Sequence, residues 1–204
     1  SVANWASQIS AGPPDEAGQS LTFQLENDNA ALFSTPPAVS PDGTLNFTPA
    51  PNVTGTANVT VTLRDNGGTG SGGTNAFAPQ PLRISITPVN DAPTLAPLND
   101  RTLAEDDAPQ TVALSGITAG PPNETQTLTV TASSSDPTVL ANPAVTYTSP
   151  QSTGTLTLAP LPNAGGTATI TVVVSDDGGT DAGGINAVTN RFQVTVTPVN
   201  DLPT

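Results

Sequence analysis

The residues most capable of chemistry in this chain are carboxylates and side-chain amides grouped in loops bounded by Gly and Pro. They are Asp15 and Glu16 in "GPPDE", Asp65 in "RDNGG", Asn90 and Asp91 in "PVND", Asn123 and Glu124 in "GPPNE", and Asp176 and Asp177 in "SDDGG". Such groups are hard oxygen ligands, and Ca²⁺ takes about six to eight of them from carboxylates, amides and backbone carbonyls. Composition removes most other site chemistry. Cys and His are absent and the four basic residues are all Arg, so thiolate and imidazole metal sites, His-activated nucleophiles and Lys Schiff bases are unavailable. Catalysis by paired carboxylates needs a cleft between them, and no sequence feature marks one. No catalytic residue and no organic cofactor is assigned, and the chain reads as a non-enzyme.

Seventeen acidic residues against four basic ones give a net charge of -13, which repels phosphate backbones and anionic lipid surfaces. Nucleic acid is therefore excluded as a partner. No apolar run is long enough to span a bilayer, so membrane insertion is excluded for these residues.

The elements that must position the acidic loops are strands. Twenty-two Pro and 18 Gly punctuate short Val/Thr-rich runs, and sustained apolar spacing at three and four residues is absent. "ANVTVTLRD" and "TATITVVVSD" set apolar residues on one face and Thr or Asn on the other, as a half-solvated antiparallel strand requires. Alternation and turn signals predict strands near Val2–Ser10, Leu21–Glu26, Thr44–Thr48, Ala57–Arg64 and Leu82–Thr87, then Val112–Thr118, Leu128–Thr131, Thr155–Leu158, Ala168–Ser175 and Phe192–Thr197. With aromatic residues at 3%, the cores must be mostly aliphatic. Trp5 and Tyr147 read as core or rim residues rather than sugar-stacking platforms.

The two halves are one duplicated module. "ISAGPPDEAGQSLTF" answers "ITAGPPNETQTLTV", "GTLNFTPAPNVTGTANVTVTLRDNGG" answers "GTLTLAPLPNAGGTATITVVVSDDGG", and "ITPVNDAPT" answers "VTPVNDLPT". The step is 108 from Gly12 to Gly120, 111 from Asp65 to Asp176 and 110 from Ile86 to Val196; ordered matches with small drift mean duplication. The expected fold is all-β, two tandem antiparallel β-sandwiches over residues 1–93 and 94–204. The stretch Leu95 to Gln110 has no counterpart in the first half, so module one is expected to lack its opening strand. Either the sequence starts part-way along an array, or a neighbouring chain supplies that strand by edge pairing. In this topology the Pro-Pro loop, the Gly-rich loop and the preceding linker share one end, which would bring Asn90, Asp91, Asn123, Glu124, Asp176 and Asp177 together. The same residues are also ordinary turn formers.

"PVNDAPT", repeated as "PVNDLPT", together with "DNGGTGSGG" and "AEDD", resembles the tandem cadherin-like and immunoglobulin-like repeats of large bacterial surface adhesins. The resemblance covers both modules. It implies Greek-key β-sandwiches in an extracellular, cell-surface string with Ca²⁺ near the module junctions, serving as stalk or adhesive spacer. It also implies partners: neighbouring repeats of the same chain, a cell-surface glycan or protein, or further copies in a filament. Cadherin-like modules place ligands in the linker Asn-Asp, in an acidic loop and in an Asp ending the penultimate strand, matching Asn90, Asp91, Glu124 and Asp176. Glu105 resembles a further acidic ligand, serving the junction beyond Asp201. The acidic loop usual at the base of the preceding module is here "APN" at Ala50 to Asn52, so fewer ions per junction are expected.

Overall fold

The computed structural model describes residues 1–202; the last two residues of the repeated "PVNDLPT" lie outside that range. Every strand of the described residues belongs to one of two compact units, Ser1–Pro88 and Val89–Thr204. The segment Asn90 to Pro93, which the repeat alignment leaves with the first module, therefore packs with the second unit.

The first unit contains β1 (Thr22–Asn27), β2 (Phe33–Val39), β3 (Leu45–Pro49), β4 (Gly55–Arg64) and β5 (Gln80–Ile86). They form a sheet in the order β1-β4-β5 and a β2-β3 pair, all antiparallel. Alternation along β4 buries Ala57, Val59 and Val61 against Leu32, Phe33 and Ile84, with Trp5, Phe23 and Phe47 packed around them. Phe33 and Phe47 meet edge to face at 5.8 Å.

One expected strand is absent here and one strand that was not expected is present. Val2–Ser10 is not a strand: only Val2 bridges, to Leu45, and Asn4 and Gln8 take positive φ values of 56° and 55°, which breaks an extended ladder. Conversely, β2 runs through Pro36 and Pro37. Proline cannot donate to a ladder, and β2 tolerates it because it is an edge strand whose register shifts between Thr35 and Ala38.

The second unit contains β6 (Arg101–Ala104), β7 (Gln110–Ser115), β8 (Leu128–Ser134), β9 (Ala144–Thr146), β10 (Thr153–Leu158), β11 (Gly166–Asp176) and β12 (Ala187–Thr197). One sheet runs β7-β10-β9 and the other β6-β12-β11-β8. Side chains of both sheets close one aliphatic core, in which Ala168, Ile170, Val172 and Val174 of β11 are all 0% exposed. This is a β-sandwich. It departs from a purely antiparallel one at β6, which pairs with β12 in parallel.

The segment ahead of β6 crosses from one sheet to the other. Thr94 bridges Thr118, the Ala96 amide donates to Ser115 O, and Arg101 to Ala104 then pair with Val194 to Thr197. Leu95 and Leu103 enter the core on the way. In the first unit the outer edge of β5, the counterpart of β12, has no partner among the described residues.

Candidate functional site

The acidic loops of the second unit converge on Asn90. Its Nδ2 donates to Asp176 Oδ1 at 2.9 Å, Ile185 O at 2.8 Å and Gly179 O at 3.2 Å, while Gln126 Nε2 donates to its Oδ1 at 2.9 Å. The Asn90 carbonyl also accepts from the Ile185 amide at 3.0 Å. A side-chain amide suits this position because two donors and an acceptor are needed at one point. Glycine lets the loop approach so closely: a Cβ on Gly178 would collide with Asn90 Oδ1, and one on Gly184 would lie 3.1 Å from Asn90 Cβ.

Around this clip the carboxylates divide by role. Asp176 ends β11 and is 8% exposed; its Oδ1 also accepts from the Gly178 amide at 2.9 Å, but its Oδ2 is buried and has no partner. Gln126 donates to Glu124 as well as to Asn90, and its own buried Oε1 is unpartnered. Glu124 Oε1 lies 3.5 Å from the Asp91 amide. Asp177 instead closes the loop, accepting from the Thr127 amide at 2.8 Å. Asn123 is exposed and takes no part. The turn that ties the Glu124 amide to Pro121 O at 2.9 Å aims Glu124 inward and leaves Asn123 outside.

Asn90, Asp91, Glu124 and Asp176 are thus gathered as the sequence suggests, yet as a hydrogen-bonded cluster. Among the described residues no three acidic side chains stand together as a metal-ligand group. Two buried, unpartnered oxygens remain, Asp176 Oδ2 and Gln126 Oε1, and an unsatisfied buried acceptor invites a donor or a cation.

In the first unit Asp65 occupies the place of Asp176, and its Oδ1 accepts from the Gly67 amide at 2.7 Å. Asn66 Oδ1 takes the Ser20 amide as Asp177 takes that of Thr127. Glu16 and Asp65 both line a cavity of about 500 Å³, while Asp15 is exposed and stands apart from it. Gln19 Oε1 is buried without a partner, as is its counterpart Gln126 Oε1.

Sequence reading overlooked both glutamines. Their signal was positional: each stands two residues before the Leu that precedes β1 or opens β8. Glu105 is buried at 6% exposure, and its Oε1 accepts from the Val199 amide at 2.7 Å, so it holds the outgoing chain. Trp5 and Tyr147 both pack on the cores as expected. Burial pushes the Tyr147 hydroxyl above its ordinary pKa, offset in part by Ser149.

No protein-family model matches the chain, and no curated protein matches it. Among solved structures it is similar to domains 4 and 5 of the S-layer protein SbsC, at 18% identity and a TM-score of 0.34, covering 94% of this chain and 75% of that one. It is similar to domains EC1-3 of mouse protocadherin-24 at 14% identity and a TM-score of 0.46, covering 87% of this chain and 58% of the other. It is also similar to an endo-fucoidan hydrolase of glycoside hydrolase family 107 at 18% identity and a TM-score of 0.35, covering 90% of this chain and 24% of that one.

Proposed function

We propose that this chain is a structural or adhesive repeat of a bacterial cell-surface protein, working outside the cell as a length of stalk and not as a catalyst. The observation that carries this reading is the Asn90 clip. The motif that joins one repeat to the next is tied by four side-chain hydrogen bonds to the loops of the second sandwich, so the joining sequence is a designed attachment and not a loose tether. Duplication adds length more readily than it adds chemistry.

Calcium belongs to the same reading as a reinforcement of this attachment. Asp91, Glu124 and Asp176 would hold it with the amide oxygen of Gln126, and the two unpartnered buried oxygens support that assignment. With few carboxylates available, affinity falls in the range of extracellular modules, on the order of 10⁻⁴–10⁻³ M. In the first unit Glu16 and Asp65 form the related pair.

Thermal unfolding in millimolar CaCl₂, in MgCl₂ and in EDTA tests the calcium assignment. A calcium-specific rise that disappears in Glu124→Gln supports it; at a concentration about 1 to 10 times the dissociation constant the gain is about 0.4–1.4 kcal/mol. Identical melting in all three solutions removes calcium and leaves a plain spacer.

A further inference from the structure

Asn66 is the one asparagine of the sequence that glycine follows. In such a pair the glycine amide nitrogen can attack the asparagine side-chain carbonyl, because no Cβ on the following residue blocks the approach. Packing fixes that neighbour: a Cβ on Gly67 would stand 2.5 Å from Gln19 Nε2. The fold therefore holds the reactive pair in place.

Two hydrogen bonds fall on the atoms this reaction uses. The Ser20 amide donates to Asn66 Oδ1 at 2.9 Å, and Oδ1 is the oxygen on which negative charge grows when the carbonyl is attacked. A backbone N–H set there stabilises the tetrahedral intermediate as it forms. The Gly67 amide, whose nitrogen is the nucleophile, donates to Asp65 Oδ1 at 2.7 Å. A carboxylate at that distance is within reach of the proton it must take. Asn66 and Gly67 are both exposed, so water reaches them.

The second unit shows that the product fits the loop. Asp177 stands where Asn66 stands, and its Oδ1 accepts from the Thr127 amide at 2.8 Å, as Asn66 Oδ1 accepts from that of Ser20. The Gly178 amide donates to Asp176 Oδ1 at 2.9 Å, as that of Gly67 donates to Asp65. An aspartate at position 66 keeps both contacts. Asp177 is exposed even though Asn90 packs beside it on Asp176, so exposure belongs to this loop and does not depend on what precedes the first unit.

We propose that Asn66-Gly67 is a self-modification site at which the folded chain converts its own Asn66 to aspartate. Gly67 N bonds to Asn66 Cγ and passes its proton to Asp65. The Cγ–Nδ2 bond then breaks, and Nδ2 leaves as ammonia with the proton that Asp65 returns. Water opens the resulting succinimide ring. Attack at Cγ restores the main chain and leaves a side-chain carboxylate; attack at the main-chain carbonyl carbon leaves isoaspartate. One water is consumed, one ammonia is released and nothing is oxidised or reduced. The loop of the first unit thereby gains the adjacent acidic pair that Asp176 and Asp177 form in the second, with no enzyme.

The rate at residue 66 in folded and in unfolded chain tests this. Trypsin cleaves after Arg64 and Arg83, so the peptide from Asp65 to Arg83 carries the site, and fragmentation mass spectrometry locates the exchange of NH₂ for OH at Asn66. Chain kept folded at neutral pH should convert about tenfold or more faster than chain kept unfolded in guanidinium chloride, in keeping with the contributions of a positioned base and an oxyanion donor. Asp65→Asn still offers the Gly67 amide an acceptor but takes no proton, and should bring the folded rate down to about the unfolded one. Asn66→Asp should melt together with the parent chain. Conversion no faster in the folded chain than in the unfolded one overturns the proposal, because the two hydrogen bonds then lock the amide instead of assisting its attack. Conversion of folded Asp65→Asn at the parental rate overturns the part given to Asp65, and a marked fall in the melting temperature of Asn66→Asp overturns the fit of the product.

Discussion

At the residue scale, Asn90 does what a carboxylate there could not. It donates twice or more toward Asp176 and two carbonyls while accepting from Gln126. Asn90→Ala leaves Asp176 and Gln126 with unmet polar groups, and the expected cost to the second unit is about 2–4 kcal/mol by urea denaturation. Asn200→Ala, the same change in the repeated motif, should cost close to nothing in the monomer, because Asn200 is exposed. Equal losses would show that the clip contributes no stability of its own. Acid sensitivity is set by other aspartates. Hydrogen bonds from Asn58 hold Asp28 below the usual carboxylate range, Thr44 does the same for Asp42, and Thr138 for Asp136. A depressed folded-state pKa contributes stability that is present above the unfolded value and lost as pH falls through the folded one. The melting temperature should therefore hold level from neutral pH down to about pH 4 and fall below it. A decline that begins between pH 7 and 5 would assign acid sensitivity to other groups. The acidic members of the site were legible in the sequence because charge beside Gly and Pro marks a loop. Gln126 and Gln19 were not, since an uncharged side chain in a Thr-rich stretch looks like surface until its burial is known.

At the scale of elements, alternation made β4, β11 and the later half of β12 plain, and turn signals bounded β1, β3 and β10. β9, three residues long, is too short for alternation to show, and two other differences had separate causes. β2 was hidden by Pro36 and Pro37, which argue against a central strand but not against an irregular edge. The segment Val2–Ser10 has the composition of a strand but turns at Asn4 and Gln8. β6 is short, yet it completes the second sandwich: it carries Leu103, 8% exposed, into the core and gives β12 a partner. Leu103→Ala is expected to cost about 2–4 kcal/mol through lost burial and the space left behind. The loss should fall wholly on the transition of the second unit. A cost near zero would mean that β6 lies on the core without supporting it.

At the scale of the whole chain, the two units carry unequal cores, and this has a thermal consequence. The buried cluster of the second unit contains sixteen apolar residues and that of the first contains six, among those described. Stability from burial follows apolar area removed from water, and the first unit in addition leaves its β5 edge and an apolar cavity uncovered. Calorimetry should therefore resolve two transitions, the lower one belonging to the first unit. The assignment needs no mutation, because Trp5, the single Trp of the chain, packs on the core of the first unit. Its fluorescence should change through the lower transition only, while the far-ultraviolet signal follows both. A single transition reported identically by Trp5 and by calorimetry would show that the larger core stabilises both units together; in that case the open edge of β5 is no weakness of the chain.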